Sequence, residues 1–154
     1  MKKVGIIFGS ASDAKKMEGA QKALEEFGID FERLVASAHR TPDRVRDWVS
    51  GAEERGLEVI IAGAGMSAHL AGVVASLTVL PVIGVPCSGG ALNGVDALYS
   101  TVNMPKGTPV ATVAVDGSFN AGLLAVKMLA IKEPELREQL KAYKKKMVEK
   151  VAEQ

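Results

Sequence analysis

Short apolar runs alternate with amphipathic stretches along the whole chain. Each apolar run predicts a buried strand, and each amphipathic stretch has the 3.6-residue periodicity of a helix. The predicted strands are VGIIFG (4–9), FERLVAS (31–37), EVIIAGAG (58–65), PVIGVP (81–86) and PVATVAV (109–115). Helices are predicted over 12–28, from Pro42 to a stop at Gly56, and over 67–78, 92–103 and 119–130.

Strands that are each followed by a helix are typical of an α/β fold, in which helices cover both faces of a parallel sheet. Right-handed crossovers leave few topologies for such a sheet. We expect the flavodoxin-like strand order 2-1-3-4-5 and therefore three layers, αβα. The chain has no internal repeat and no linker composition, so residues 1–154 are predicted to form one domain.

Local signals place several helix ends. Ser12 is the predicted N-cap of the first helix and Gly28 its stop, while Thr41 and Pro42 begin the second. An extra helix over about 133–153, with Pro134 in its first turn, has no strand to follow. Its apolar stripe packs either on its own domain or on a neighbouring subunit, and it consists of Leu136, Leu140, Tyr143, Met147 and Val151.

Composition narrows the class of protein. The formal net charge of +1 argues against a strongly basic nucleic-acid binder. Cys87 is the one cysteine, which excludes an intrachain disulfide framework. The apolar segment after Met1-Lys2-Lys3 is too short for a signal peptide, and no run reaches the length of a membrane span. We therefore expect a cytoplasmic protein without a membrane or nucleic-acid partner.

Three predicted strands end in loops with candidate chemistry. GSASD (9–13) offers small residues, hydroxyls and Asp13 at a helix start, which suit a phosphate and a ribose but equally suit simple capping. SAHRT (37–41) adds His39, a proton carrier near neutral pH, and Arg40, a forked cation. GAGMSAHLAG (63–72) holds the second histidine, His69, which alone could be a helix-turn residue.

Together these loops indicate a ligand site more strongly than each does alone, because the strand order 2-1-3 makes them neighbours at one edge of the sheet. One crevice would then collect phosphate donors, a ribose partner and a proton carrier. The residues concerned are Ser10, Asp13, Ser37, His39, Arg40 and His69. The combination favours a phosphoribosyl-type ligand.

Other chemistries fit less well. Gly63, Gly65 and Ala68 match a relaxed dinucleotide pattern, but it follows the third strand and has no acidic residue about 20 positions later. No ATP-binding P-loop is present, and two distant histidines with one cysteine do not form a dedicated metal site. Cys87 fits a packed thiol better than a nucleophile.

Long segments resemble the PurE family of purine biosynthesis, class I, whose members are N5-carboxyaminoimidazole ribonucleotide (N5-CAIR) mutases. The resemblance covers about residues 4–130 and is carried by GSASDAKKM, SAHRTPDR, IIAGAGMSAHLAG, PVIGVP, LNGVDALYSTVNMPKGTPVATVAV and NAGLLAVKML. It implies an isomerase that converts N5-CAIR to 4-carboxy-5-aminoimidazole ribonucleotide (CAIR) without metal or cofactor. It also implies a homo-oligomer, typically an octamer, with active sites at subunit junctions.

The resemblance implies roles for individual residues. His39 is the expected acid–base group, and His69 belongs to the second histidine motif, so both are candidate catalytic residues. Gly63, Ala64, Gly65 and Ser67 would surround the carboxylate or CO2. The candidate substrate-binding residues are Ser10, Asp13, Ser37, Arg40, Gly65, Ser67 and Leu70.

Departures from the family pattern at Met66, Ser67, Ala71 and Asn103, and the CSGG segment after Pro86, bear on the enzyme class. A sister group, the AIR carboxylases, uses free CO2 and tends to have lysine where this chain has Arg40, so Arg40 favours the mutase. The alternatives are an AIR carboxylase, a non-catalytic nucleotide-binding module, and an oxidoreductase based on the GAGMSA segment.

Overall fold

A computed structural model describes residues 3–154, so Met1 and Lys2 of the predicted domain and of the N-terminal segment lie outside the described residues. The strands are β1 Val4–Phe8, β2 Phe31–Val35, β3 Val59–Gly65, β4 Val82–Cys87 and β5 Ala111–Thr112. The helices are α1 Ala14–Glu26, α2 Pro42–Ser50, α3 Leu70–Ser76, α4 Val95–Val102, α5 Ser118–Leu129 and α6 Pro134–Ala152.

The strands form one parallel sheet in the order β2-β1-β3-β4-β5, which confirms the predicted α/β class and topology. β1, β3 and β4 are buried because helices cover both sheet faces, and this explains their nearly continuous apolar sequences. Phe8 at the end of β1 pairs with Val35 of β2 and Gly63 of β3. The loops that follow these strands therefore begin at the same level.

Two apolar clusters lie on opposite faces of the sheet. On one face, α1, α5 and the start of α6 pack over side chains such as Ile6 and Ile61. On the other face, α2 and α3 pack over Ile7 and Ile60. α4 lies on the same side as α3, since Thr101 approaches Gly84 of β4. The result is the expected three-layer αβα arrangement.

Helices α1 and α5 approach each other closely enough that glycine is required. A Cβ placed on Gly122 would lie 2.6 Å from the Cβ of Ala23 and 2.8 Å from the carbonyl oxygen of Ala20. A Cβ on Gly19 would meet the backbone nitrogen of Phe119 at 2.7 Å. The contact is thus formed by backbone and small side chains, which have little room to adjust.

Several predicted boundaries were wrong. Strand β5 has only two residues instead of seven, because the chain after Val113 turns through Asp116, whose φ of 57° ends the extended conformation. Ser12 lies in a short 3-10 turn (11–13) before α1, so Asp13 occupies the N-cap position. The predicted stop of the first helix is correct, since Gly28, with φ 66°, follows the end of α1.

The second and third helices are shorter than predicted. α2 ends at Ser50, and turns continue to Gly56. Thr41 is at its N-cap position, but the Thr41 hydroxyl bonds to the backbone of Ser37 and does not cap the helix. α3 begins at Leu70, because the backbone N–H of Ala68 is held by the hydroxyl of Ser100 in the preceding turn.

Helix α6 is only partly covered by its own chain. Leu136 is buried, and Leu140 and Tyr143 pack against the α1–α5 side of the core. Met147 and Val151, from the same stripe, are 49% and 63% exposed. Although α6 has 19 residues, it is rich in charge, and no helix in residues 3–154 is long and apolar enough to cross a bilayer.

The close α1–α5 contact predicts that Gly122→Ala destabilises the protein. The added methyl group would overlap Ala23 and the Ala20 carbonyl, and such overpacking costs about 1–3 kcal/mol. Urea unfolding measures the loss. Gly72→Ala in α3 is the matched control, because its Cβ would meet only the flexible end of the Met104 side chain, at 3.0 Å. Equal stability of the two variants would contradict the packing argument.

Candidate active site

A cavity of about 810 Å³ lies beyond the carboxyl ends of β1 to β4, a size that suits a nucleotide-sized ligand. This is the edge where open parallel sheets bind ligands. Its walls come from four loops. The lining residues are Gly9, Ser10, Ala11, Ser12, Asp13, Lys16, Ser37, Ala38, His39, Arg40, Ala64, Gly65, Met66, Ser67, His69, Leu70, Ser88, Gly89 and Gly90.

Every residue that the sequence suggested as catalytic or substrate-binding lines this cavity. Gly63 does not line it, although the family resemblance implies a place for it beside the carboxylate. A Cβ on Gly63 would lie 2.3 Å from the sulfur of Met17, so this glycine faces α1. The glycine allows α1 to pack against β3 and does not form a wall of the cavity.

Arg40 joins the ends of β1 and β2. Its Nη2 donates to the carbonyl oxygen of Gly9 at 3.2 Å, and its Nε donates to the hydroxyl of Ser37 at 3.4 Å. The same hydroxyl accepts from the Arg40 backbone N–H at 3.2 Å. Because a guanidinium has five N–H donors, these contacts orient the fork and leave donors for a bound anion.

A second polar group lies at the end of β1. The Ser10 and Ser12 hydroxyl oxygens are 2.5 Å apart, and Ser10 Oγ donates to Asp13 Oδ2 at 3.4 Å. Burial raises the pKa of the Asp13 carboxyl, while Lys16, the Ser10 hydrogen bonds and Arg40 oppose the rise. Asp13 is therefore a largely buried carboxylate flanked by two cations.

The two histidines of the chain are in direct contact. His39 Nε2 lies 2.7 Å from His69 Nδ1, and the rings meet edge-on with centroids 4.8 Å apart. Two protonated nitrogens cannot form a hydrogen bond with each other, so one of the pair donates and the other accepts. The contact thus links the loop after β2 to the N-cap of α3 through one shared hydrogen, and both side chains are exposed to the cavity.

The segment after β3 forms the wall beside the histidines. Met66 has a φ of 54°, a backbone conformation that residues other than glycine rarely adopt. Its side chain is 62% exposed. Its carbonyl accepts from the hydroxyl of Ser100. A Cβ on Gly90 would lie 3.5 Å from Met66, so the Met66 side chain bridges two walls of the cavity.

Sequence reasoning missed Lys16 and the loop over 88–90. Lys16 Nζ donates to the carbonyl of Ser88, and both residues line the cavity. Lys16 follows Asp13 by one helical turn, so the spacing on α1 was a usable signal for it. The residues of the 88–90 loop carry no comparable signal, since small residues alone do not distinguish a cavity wall from an ordinary turn.

Cys87, at the end of β4, is fully buried and donates weakly to the Val85 carbonyl. Burial, with smaller contributions from Asp13 and Asp116, raises the pKa of its thiol to about 12. The thiol therefore stays protonated at neutral pH and is not a nucleophile there, as its sequence context suggested. Within residues 3–154 no three side chains of His, Cys, Asp or Glu are arranged to hold a metal ion.

Comparison with known proteins gives consistent results. The family described as AIR carboxylase matches residues 3–150. An N5-carboxyaminoimidazole ribonucleotide mutase of Pyrococcus horikoshii is 59% identical over 150 residues, covering 97% of this chain and 85% of that protein. A phosphoribosylaminoimidazole carboxylase of Schizosaccharomyces pombe is 53% identical over 150 residues, covering 97% of this chain and 27% of that protein.

Solved structures are similar over the same length. The crystal structure of Treponema denticola PurE superposes with a TM-score of 0.89 at 30% identity, covering 99% of this chain and 96% of that one. The similarity thus extends over both core clusters and the cavity.

The buried position of Asp13 predicts a stability effect that depends on pH. Asp13→Asn should be at least as stable as the wild type at pH 7, because burial penalises the ionised carboxyl and the amide has no charge to desolvate. Since the pKa of Asp13 is raised on folding, its ionisation costs stability as the pH rises through that pKa. The advantage of the amide should therefore shrink as the pH falls toward 3.8, the ordinary pKa of an aspartate side chain.

Urea unfolding at pH 7 and at about pH 4 measures this difference. Asp47→Asn, at an exposed position of α2, is the matched control and should change little at either pH. Lower stability of Asp13→Asn than of the wild type at pH 7 would contradict the assignment.

Proposed function

Since this chain belongs to the AIR carboxylase family, we propose that it is an N5-carboxyaminoimidazole ribonucleotide mutase, an isomerase of purine biosynthesis that converts N5-CAIR to CAIR. The observation that carries the proposal is the composition of one cavity. It joins an oriented guanidinium and serine hydroxyls to a hydrogen-bonded histidine pair, with a glycine-containing segment beside the pair.

The substrate's phosphate and ribose fit the β1–β2 side of the cavity. Arg40 and the hydroxyls of Ser10 and Ser37 would bind the phosphate, because the guanidinium fork and hydroxyl donors match its oxygens. The Asp13 carboxylate would accept from the ribose hydroxyls. These contacts lie away from the reacting atoms, so their binding energy serves to orient the base beside the histidines.

The reaction needs a proton carrier but no net proton. As the carbamate C–N bond of N5-CAIR breaks, CO2 leaves and the nitrogen gains a proton. Carbon 4 of the resulting aminoimidazole then attacks CO2, and the proton at that carbon is lost. One acid–base group can therefore give a proton and take it back, and His39 is placed for this role.

The contact with His69 supports that role for His39. An imidazole whose Nε2 is hydrogen-bonded to another imidazole is held in one orientation, and the shared hydrogen can lie on either nitrogen of the 2.7 Å contact. His69 would thus orient His39, as a hydrogen-bonded partner orients the base in other acid–base pairs. Both histidines act in this proposal, His39 on substrate and His69 next to it.

The segment from Ala64 to Ser67, with Leu70, forms the side of the cavity where CO2 would be held. Gly65 has no side chain, and a Cβ placed on it would lie 3.3 Å from the carbonyl oxygen of Cys87. The turn that contains Met66 and Ser67 is fixed by the Ser100 hydroxyl. Keeping CO2 next to its acceptor in a fixed pocket raises its effective concentration.

An AIR carboxylase that takes free CO2 is the second candidate, favoured by the family's description and by the identity with the fission yeast carboxylase. The greater identity with the archaeal mutase, and its coverage of most of that protein, favour the mutase. A non-catalytic nucleotide-binding module would have no use for a paired histidine in the cavity. A dinucleotide-binding oxidoreductase is disfavoured because Gly63 packs on α1 and does not open to a ligand.

Turnover of N5-CAIR without ATP, biotin or added metal tests the proposal directly. Formation of CAIR from N5-CAIR faster than from AIR plus bicarbonate supports the mutase. The reverse preference supports the carboxylase, and binding without turnover of either substrate supports the non-catalytic module. An increase in the thermal stability of the protein when NAD is added would instead support the oxidoreductase alternative.

His39→Asn should lower kcat by at least about 100-fold, the contribution of a positioned acid–base group, while substrate still binds. Arg40→Ala serves as the contrasting variant and should mainly raise KM, since it removes a phosphate contact. Steady-state kinetics with N5-CAIR separate the two effects. Near wild-type kcat in His39→Asn would remove His39 from the proton transfers.

We also propose that the protein is a cytoplasmic homo-oligomer, an octamer, in which residues 1–154 form one domain and α6 packs on a neighbouring subunit. The support is a set of large apolar side chains that are exposed in the single chain. They lie on the outer side of α6, on the free side of α4 and in the loop before α4, namely Met147, Val148, Val151, Val95, Tyr99, Val102 and Leu92.

Analytical ultracentrifugation measures the oligomer, with about eight chains expected per particle. Tyr99→Glu, at 65% exposure, should lower the mass by placing a charge in the buried contact. Glu138→Gln on the polar side of α6 is the control and should leave the mass unchanged. A monomeric wild type would contradict this assembly.

A further inference from the structure

Lys16 and the loop over 88–94 form a second feature of the cavity, which the proposed reaction does not use. The Lys16 side chain leaves α1, lines the cavity and donates from Nζ to the Ser88 carbonyl, 72 positions along the chain. A Cβ on Gly89 would lie 3.6 Å from the same Nζ, so the ammonium group rests against the backbone of the loop.

This loop has little intrinsic stiffness. Gly89, Gly90, Asn93 and Gly94 have φ values of 144°, 67°, 48° and 95°, a conformation that glycine adopts freely but holds at an entropic cost. Leu92 beside them is 61% exposed, so apolar packing does little to fix the loop. A backbone hydrogen bond from the Asn93 N–H to the Gly90 carbonyl closes a turn within the loop, so contacts at the loop's ends fix where that turn lies.

Ser88 is the point where those contacts meet. On one side its carbonyl accepts from Lys16. On the other side its backbone N–H donates to Asp116 Oδ1 at 2.8 Å and its hydroxyl donates to Asp116 Oδ2. The loop is thus held between α1 and the turn before α5 by two charged side chains.

Lys16 also faces the buried Asp13 carboxylate. The charged and titratable groups around Asp13 are Lys16 on its own helix, Arg40 from the loop after β2, and Cys87 at the end of β4. Of the two cations, Lys16 acts more strongly against the rise in the pKa of Asp13. Removing the Lys16 charge should raise that pKa further.

We propose that Lys16 is a positioning residue that holds the Ser88–Gly90 wall of the cavity against α1 and keeps a cation near Asp13, the partner of the substrate's ribose. The kinetic consequences rest on the proposed mutase function. The consequences for the loop itself do not, so the two can be tested separately.

Hydrogen exchange of the loop is the test that needs no substrate. In Lys16→Met, which keeps the length of the side chain without its charge, the amides of Ser88 and Asn93 should exchange at least about fivefold faster, since loss of a tether increases local opening. Lys15→Met, at the exposed neighbouring position of α1, is the control and should exchange like the wild type. Unchanged exchange in Lys16→Met would overturn the tether.

Steady-state kinetics on the full-length oligomer then test the effect of Lys16 on the active site. Lys16→Met should raise the KM for N5-CAIR about tenfold, the size of one hydrogen bond to a charged group, with kcat changed less than about threefold. The acid limb of the kcat/KM profile should move to higher pH, because Asp13 has lost a facing cation. Lys16→Arg should restore the KM and the position of the acid limb in part. A merely structural lysine would leave the pH profile unmoved.

A double-mutant cycle checks that Lys16 acts through Ser88. Asp116→Asn weakens the other anchor and suits the left-handed conformation at that position, with φ 57°. If both side chains hold one loop, their effects on KM will not add.

Strict additivity of the two effects overturns this inference. A Lys16→Met variant with wild-type KM and pH profile, while the wild type turns over N5-CAIR, also overturns it. Absence of N5-CAIR turnover in the wild type overturns the proposed function instead and leaves the exchange result to decide the tether.

Discussion

The parallel pairing of β1 between β2 and β3 is the constraint on which the whole site depends. Because Phe8 lies opposite both Val35 and Gly63, three loops leave the sheet at one level and on one edge. Arg40 can then reach the Gly9 carbonyl, and His39 can reach His69, across loops that are 30 or more residues apart in the chain. A change of one residue in either register would turn the last side chains of a strand to the opposite face of the sheet and separate these groups.

The cavity combines charge with burial, and this has a cost in stability. Asp13 is buried enough for its pKa to rise, and two cations beside it offset part of that penalty. The strained backbone at Met66 lies in the same wall, where the hydroxyl of Ser100 holds the turn. Such local costs are typical of functional sites, and here the two packed clusters on either side of the sheet compensate for them.

The sheet order, the layers and the three cavity loops after β1, β2 and β3 could be predicted from the sequence, because buried strands and helix periodicity are strong local signals. Several of the failures share a cause, which is dependence on distant contacts. The late start of α3 depends on Ser100, and the position of Gly63 depends on Met17. The contact between Lys16 and Ser88 spans 72 positions and joins residue types that no motif connects, so only the folded chain reveals it.

The central claim is that one cavity holds the substrate's phosphate at the β1–β2 loops and its imidazole beside the histidine pair. A crystal structure of the protein with CAIR bound measures this most directly. The account predicts the phosphate within hydrogen-bonding distance of Ser10, Ser37 and Arg40, and the C4 carboxylate against the Ala64–Ser67 wall within reach of His39. A CAIR molecule bound in the reverse orientation, or with its imidazole beyond reach of both histidines, would contradict the account.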